Sequence, residues 1–194
     1  MRRVLRRKAA FFAFAAAAAL AACGKDEIVS YQVPKEAEAA MGPAAMPAAP
    51  AAGGDLAWTV PRGWKSEPAA GMRFASFDVP AAGGNCELSV VVLPGDAGGE
   101  LANVNRWRGQ LGAGALDDAA LAAAARRLTA PAGKILAFDI KGEGGQAGKA
   151  MAAAILSTGE KTWFFKLTGK EAAVAAARPS FQTFLKSLRP GKSS

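Results

Sequence analysis

Between Lys134 and Gly169 three apolar stretches follow one another with only short turns between them, and this spacing limits the fold more than any other feature. "KILAFDIKG" alternates Leu136, Phe138 and Ile140. "KAMAAAILS" is small and apolar almost throughout. "EKTWFFKLTG" sets Trp163, Phe165 and Leu167 on one face and Phe164 on the other. The intervening "KGEGGQAG" and "STGEK" are too short to carry a crossover helix, so neighbouring strands must run antiparallel.

Upstream, "LAWTVPRGW" alternates Leu56, Trp58 and Val60, stops at Pro61 and turns at Gly63. "GMRFASFDV" reads as a further strand, with Met72 and Phe74 opposite Ala75 and Phe77. "CELSVVVL" is apolar on both faces from Val90 to Leu93, which suits a central strand. Helical spacing covers Glu100 to Leu111, with Leu101, Val104 and Leu111 on one side and Trp107 close by. A second helix is expected from Asp117 to Leu128, with acids at its start and Arg126 and Arg127 complementing its dipole at the end. "EAAVAAARPSFQTFLKSL" is a third, interrupted by Pro179, with Phe181, Phe184, Leu185 and Leu188 forming a stripe that needs a sheet to cover. Together these predict an α+β fold, a single twisted antiparallel sheet of about six strands flanked by about three helices.

The N-terminus carries a different message. "MRRVLRRK" has five positive charges and no acid, and "AAFFAFAAAAALAA" follows as an apolar run ending in small residues. That is the pattern of a secretory signal peptide. The run is shorter than the roughly 20 residues a bilayer-spanning helix needs. Its exit, Leu20-Ala21-Ala22-Cys23, resembles the lipobox of bacterial lipoproteins. The resemblance implies a diacylglyceryl group on the Cys23 sulfur, cleavage before Cys23 and acylation of the new amino terminus. Each buried CH₂ contributes about 0.8 kcal/mol, so two or three acyl chains anchor durably where one does not. The plainer alternative is a cleaved signal with a chance cysteine. The early arginine pair hints at twin-arginine export, but the rest of that motif is missing and the general secretory route fits better.

The expected organisation is therefore a signal peptide at 1–22, lipidated Cys23 with a Pro/Ala/Gly-rich tether at 23–55, a domain at 56–189 and a disordered tail at 190–194. The tether has no periodic apolar face and cannot bury enough surface to offset its ordering entropy. A flexible chain of that length averages about 30 Å end to end. Within it, Glu27 to Glu36 holds Ile28, Val29, Tyr31 and Val33 ahead of Pro34, and reads either as merely extended or as able to pair with a sheet edge.

Loss of the five leading cations leaves 19 of the 24 basic residues against 16 acids, a net charge of +3 rather than +8. That does not give the concentrated basic face of a nucleic-acid binder. Cys86 would be the one cysteine left beside the lipidated Cys23, so no intramolecular disulfide is possible. Its strand-like surroundings predict a buried, inert thiol, with an intermolecular disulfide as the lesser option.

Two stretches resemble a known family. "WTVPRGWK" is similar to the opening of the PsbP-like fold, and "FQTFLKSL" to that fold's final amphipathic helix. The resemblance covers roughly Leu56 to Leu188 and implies a twisted antiparallel sheet between helices. "LPGDAGGELANVNRWRGQLG" with "KTWFFKLTG" more specifically resembles a group of uncharacterised bacterial lipoproteins. Neither resemblance brings an activity, because one fold hosts unrelated roles.

The chain has no His, which removes His-based triads and His-based metal sites together. There is no cysteine pair for zinc or iron–sulfur and no patterned oxygen loop for Ca²⁺, so no metal is expected. Covalent lipid on Cys23 apart, no cofactor is expected either. Asp117-Asp118 sits where a helix should start and is read as a cap. The Gly-rich loop 95–99 precedes a helix, so Gly98 and Gly99 are candidates for cradling an anion, or else supply unusual backbone angles in a turn. "NVNRWRGQ" crowds Asn103, Asn105, Arg106, Trp107, Arg108 and Gln110 onto one helix as a candidate partner-binding patch. Arg forks suit carboxylate or phosphate, and Trp with Arg is a common interface anchor. The plainer reading packs Trp107 on the sheet and bonds the polar groups to nearby loops.

The sequence thus predicts a non-enzymatic, membrane-anchored envelope lipoprotein serving as a binding or assembly module. Its partners would be a membrane, through the lipid, and an unknown envelope protein, with no nucleic acid. It would face the periplasm, the outer membrane being favoured over the inner by Gly24, or the extracellular side. The alternative is a small-ligand or anion-binding protein or enzyme using the loop 95–99 with Arg106 and Arg108. Radioactive palmitate should label the chain in its bacterial host and should fail to label a Cys23→Ala variant. Equal labelling of both would refute the lipid anchor.

Overall fold

The structure, a computed structural model, describes residues 55–191. The signal segment, Cys23 and the Glu27–Glu36 stretch lie outside the described residues. The elements run β1 (Leu56–Ala57), β2 (Lys65–Glu67), β3 (Arg73–Ala81), β4 (Gly84–Pro94), α1 (Glu100–Gln110), α2 (Asp118–Ala124), β5 (Arg126–Ala130), β6 (Gly133–Lys141), β7 (Lys149–Ser157), β8 (Lys161–Lys170), α3 (Glu171–Lys186) and β9 (Arg189–Pro190), with one 3₁₀ turn at Gly144–Gln146. Seven strands form one antiparallel sheet in the order β2-β3-β4-β8-β7-β6-β5, and β1 pairs with β9 apart from it.

The alternation of β8 settles the layering. Trp163, Phe165 and Leu167 join the core under α3, while Phe164 enters the core under α1 and α2. β7 is buried on both faces from Ala150 to Leu156. Its four alanines leave the room that the helical layers need on either side. On the first face α3 contributes Val174, Phe181, Phe184 and Leu185, joined by Trp58, Val60 and Trp64 from the segment between β1 and β2. On the second face Val104, Trp107 and Leu111 of the α1 region and Leu121 of α2 cover Phe138, Ile140, Met151 and Ile155. The sheet therefore lies between two helical layers.

The expected antiparallel α+β sheet is present, with seven strands and a separate β1–β9 pair. Several finer expectations need correction. β2 is exposed along its whole length, so it shows no apolar alternation to read. "LAWTVPRGW" supplies only the two-residue β1, paired with Arg189 and Pro190, so ordered structure extends into the expected tail. A register shift between Arg73 and Ala75 turns Phe74 to the same side as Phe77, so the two do not oppose each other. Met72 stands 74% exposed just ahead of β3.

The second helix stops at Ala124, not Leu128. Arg126 to Ala130 instead forms a strand that turns through Pro131 and Ala132 into β6. Proline presets the turn's first dihedral, and the pairing Arg126↔Ala137 captures residues whose helical propensity is otherwise adequate. Arg126 consequently pairs with Asp139, 2.9 Å away, instead of capping a helix. Asp117 does cap α2, accepting from the Ala120 amide at 2.8 Å.

α3 runs through Pro179 without interruption. Proline inside a helix costs about 3 kcal/mol. Burial on both sides of it, from Ala173, Val174 and Ala177 to Phe181, Phe184 and Leu185, outweighs that penalty. Phe184 is the hub, with ring centroids of Trp58, Trp64, Phe77 and Phe165 at 5.7, 5.3, 6.0 and 5.9 Å. Phe184→Ala should therefore lose about 3–5 kcal/mol in urea unfolding, whereas Met72→Ala should leave stability unchanged. A loss at Phe184 no larger than at Met72 would show that the aromatic hub does not hold the layer.

Candidate functional site

The loop ahead of α1 is anchored before it turns. The Gly95 amide donates to Glu160 O at 2.7 Å, and the Thr162 hydroxyl donates to Gly95 O at 2.6 Å. Gly98 and Gly99 take φ values of 85° and 83°, a region open to glycine and strained for other residues. Their amides are already engaged by Asp96. Gly98 N–H donates to its carboxylate at 3.2 Å and Gly99 N–H to its carbonyl at 3.0 Å. Glu100 adds a second carboxylate at the helix start. Asp96 thus engages the Gly98 amide through its carboxylate and the Gly99 amide through its carbonyl, which favours the turn reading of these two glycines over an anion cradle.

The six residues of the polar patch divide. Asn103 is buried, and its amide donates to Ala97 O at 2.9 Å and Gly99 O at 2.7 Å. It stands one turn before Trp107 and shares its inward stripe rather than an outer face. Asn105 clamps the next loop, donating to Leu116 O at 2.9 Å and accepting from Leu116 N–H at 2.8 Å. Trp107 is buried edge-on to Phe164, with ring centroids 5.6 Å apart. Arg108 donates through Nε to Gly114 O. These four hold the fold around α1. Only Arg106 and Gln110 are exposed, and Arg106 donates to Asn103 Oδ1.

The exposed pair borders a recess of about 260 Å³ between α1 and the sheet. Its floor is Val91 and Leu93 of β4, Phe164 of β8 and the Trp107 ring. Met72 stands at its mouth and Lys166 of β8 at its side. Lys166 is half-buried, and burial, then the charges of Arg73 and Arg106, push its ammonium below the usual 10.5. A second cavity of about 220 Å³ adjoins it, sharing Asn103 and Phe164, but its border includes Asp96 and Glu100. Sequence reasoning passed over Met72, Val91, Leu93 and Lys166, which reach α1 only through sheet pairing. One signal was present for Lys166: it shares a strand face with Phe164 and interrupts an otherwise apolar strand.

Cys86 is buried and free, packed where Gly169 leaves space, and burial followed by the charge of Asp78 raises its thiol above the usual 9.0. A raised thiol is poorly nucleophilic. Among the described residues no group of three or more Cys, Asp or Glu side chains is placed to hold a metal ion. Among the same residues no helix is long and apolar enough to cross a membrane.

No protein-family model matches the chain, and no curated protein matches it. Solved structures resemble it at low identity. The cyanobacterial PsbP of Synechocystis is 14% identical with a TM-score of 0.46, over 79% of this chain and 98% of that one. LpqN of Mycobacterium tuberculosis, described as involved in cell envelope biogenesis, is 11% identical with a TM-score of 0.43, over 71% of this chain and 83% of that one. A chain from Bacteroides thetaiotaomicron is 10% identical with a TM-score of 0.43, and 71% of this chain spans 46% of its length, about half. The layers described above are themselves an α+β arrangement, an antiparallel sheet between helices.

Asn105→Ala should cost about 1–3 kcal/mol, because the Leu116 amide and carbonyl both lose their partner. Gln110→Ala should stay within about 0.5 kcal/mol of the parent. Denaturant melts of the two variants make the comparison, and equal effects would contradict the division between anchored and exposed residues.

Proposed function

We propose that this chain is a non-enzymatic lipoprotein of the cell envelope, held to a membrane through lipid on Cys23, whose domain binds an envelope partner. The observation that carries the binding role is the contrast within α1. Asn103, Asn105, Trp107 and Arg108 are tied into the fold, while Arg106 and Gln110 stand exposed above an apolar recess. Met72, at the same mouth, is the one large hydrophobic side chain standing exposed among the described residues. An exposed arginine and methionine beside a buried aromatic floor have the composition of an interface core. The envelope address rests on the signal-like segment and Cys23. A tether of the expected length would let the domain range about 30 Å from the membrane, on the periplasmic side or outside.

The alternative, an anion-binding protein or enzyme built on the loop 95–99 with Arg106 and Arg108, is weakened by two contacts. Asp96 engages the loop amides, and Arg108 is bonded to Gly114. The chain also offers no His for proton transfer.

Crosslinking in intact cells followed by capture of the full chain tests the docking reading. The double variant Arg106→Ala with Gln110→Ala should lose the co-captured envelope protein while its melting temperature moves by less than about 2 °C. Retention of the partner, or a fall of several degrees without partner loss, would assign this face to scaffolding.

A further inference from the structure

We propose that the recess beside α1 is a binding site for a small amphipathic anion, a carboxylate or phosphate joined to a short apolar chain. Arg106 and Lys166 would hold the head, and Val91, Leu93, Trp107 and Phe164 would take the body. The inference rests on the reading of this face as a binding face and names what it takes.

Charge is segregated along the α1 groove. Among the described residues no carboxylate borders the recess, while the adjoining cavity carries Asp96 and Glu100. An anionic head is therefore drawn to one end of the groove and repelled from the other, which fixes its direction. Among the described residues neither Arg106 nor Lys166 forms a salt bridge, whereas nearby Arg73 is paired with Glu87. The exposed Arg106 and the half-buried Lys166 repel one another, Glu87 offsets this only in part at Lys166, and a bound anion would relieve both.

The head site is also preorganised. Arg106 donates to Asn103 Oδ1, and Asn103 is itself held by two loop carbonyls. A guanidinium oriented in advance loses less freedom on binding. Arg106 and Lys166 come from different elements, a helix and a strand, and approach the recess from different sides. The floor is apolar and rigid, since Trp107 and Phe164 are core residues packed edge to face. The volume of about 260 Å³ lies just below the usual range for small-molecule pockets, roughly 300–1,000 Å³. It suits one short chain rather than a two-chain lipid. Met72, flexible, apolar and largely exposed, also lines the recess and offers that chain a further contact.

The test is calorimetric titration of the full chain carrying Cys23→Ser, so that no detergent competes. The probes are octanoate and octyl phosphate, each below its micellar concentration, with octyltrimethylammonium as the cationic counterpart. At least one anion should bind one to one, and which of them binds more tightly identifies the head group. Arg106→Ala and Lys166→Met should each weaken binding about tenfold or more, with melting temperatures close to the parent. Arg106→Lys should recover part of the loss, and added salt should weaken binding. Absence of binding by both anions, equal binding of the cation, or affinity unchanged in both variants would overturn the proposal. A partner captured through Arg106 with no anion bound would sink this inference and leave the docking reading standing. Anion binding without a captured partner would do the reverse.

Discussion

Both helical layers depend on β7 and β8, because these strands are buried on both faces. A strand with water on one side needs only one apolar face; here Trp163, Phe164 and Phe165 send rings alternately to opposite sides. Phe165 reaches the Phe184 hub under α3, and Phe164 meets Trp107 under α1. Without Phe164, α1 would lose the surface that fixes its rotation. That rotation decides which of its polar residues face loops and which face water. The geometry at Arg106 is thus set, at one remove, by the alternation of a central strand.

The parts of the fold legible in the sequence were those whose signal is local. β6 and β8 announced themselves by period-two alternation, β7 by a continuous small apolar run, all three by short turns, and α1 by its apolar spacing. β5 did not, because Ala122 to Ala125 extend a helical run straight into it and only pairing with β6 decides the outcome. β2 has no buried residue to give it a pattern. Pro179 was read as a break because its cost is local while the burial that outweighs it comes from the sheet. At the candidate site the residue types were visible, but not their partners. Asn103 and Asn105 look alike in the sequence, yet one ties down the preceding loop and the other the following one. Loop paths are not periodic, so no spacing rule points Asn105 at Leu116.

What remains around α1 after the tied residues are set aside is a division of labour along one helix. Its start is acidic and closed upon itself, with Asp96 engaging the loop amides. Its flank is cationic and open beside apolar floor residues. Asn103 stands where the two meet, buried, bonded to the loop on one side and to Arg106 on the other. A single buried amide thus couples the shape of the Gly-rich loop to the posture of the exposed guanidinium. A loop whose Gly98 and Gly99 amides are already engaged can still influence a ligand through this contact.

The pairing of β1 with β9 has a mechanical meaning. Leu56 faces Pro190, and the Gly191 amide donates to Asp55 O at 2.9 Å, so the domain is entered and left at one point. Asp55 also forms an ion pair with Lys161 of β8, and Leu56 and Trp58 are buried in the core under α3. The first described residues are thus clasped by β9, by the central sheet and by the core at once, so a load on Asp55 is shared among all three rather than borne by the two-residue ladder.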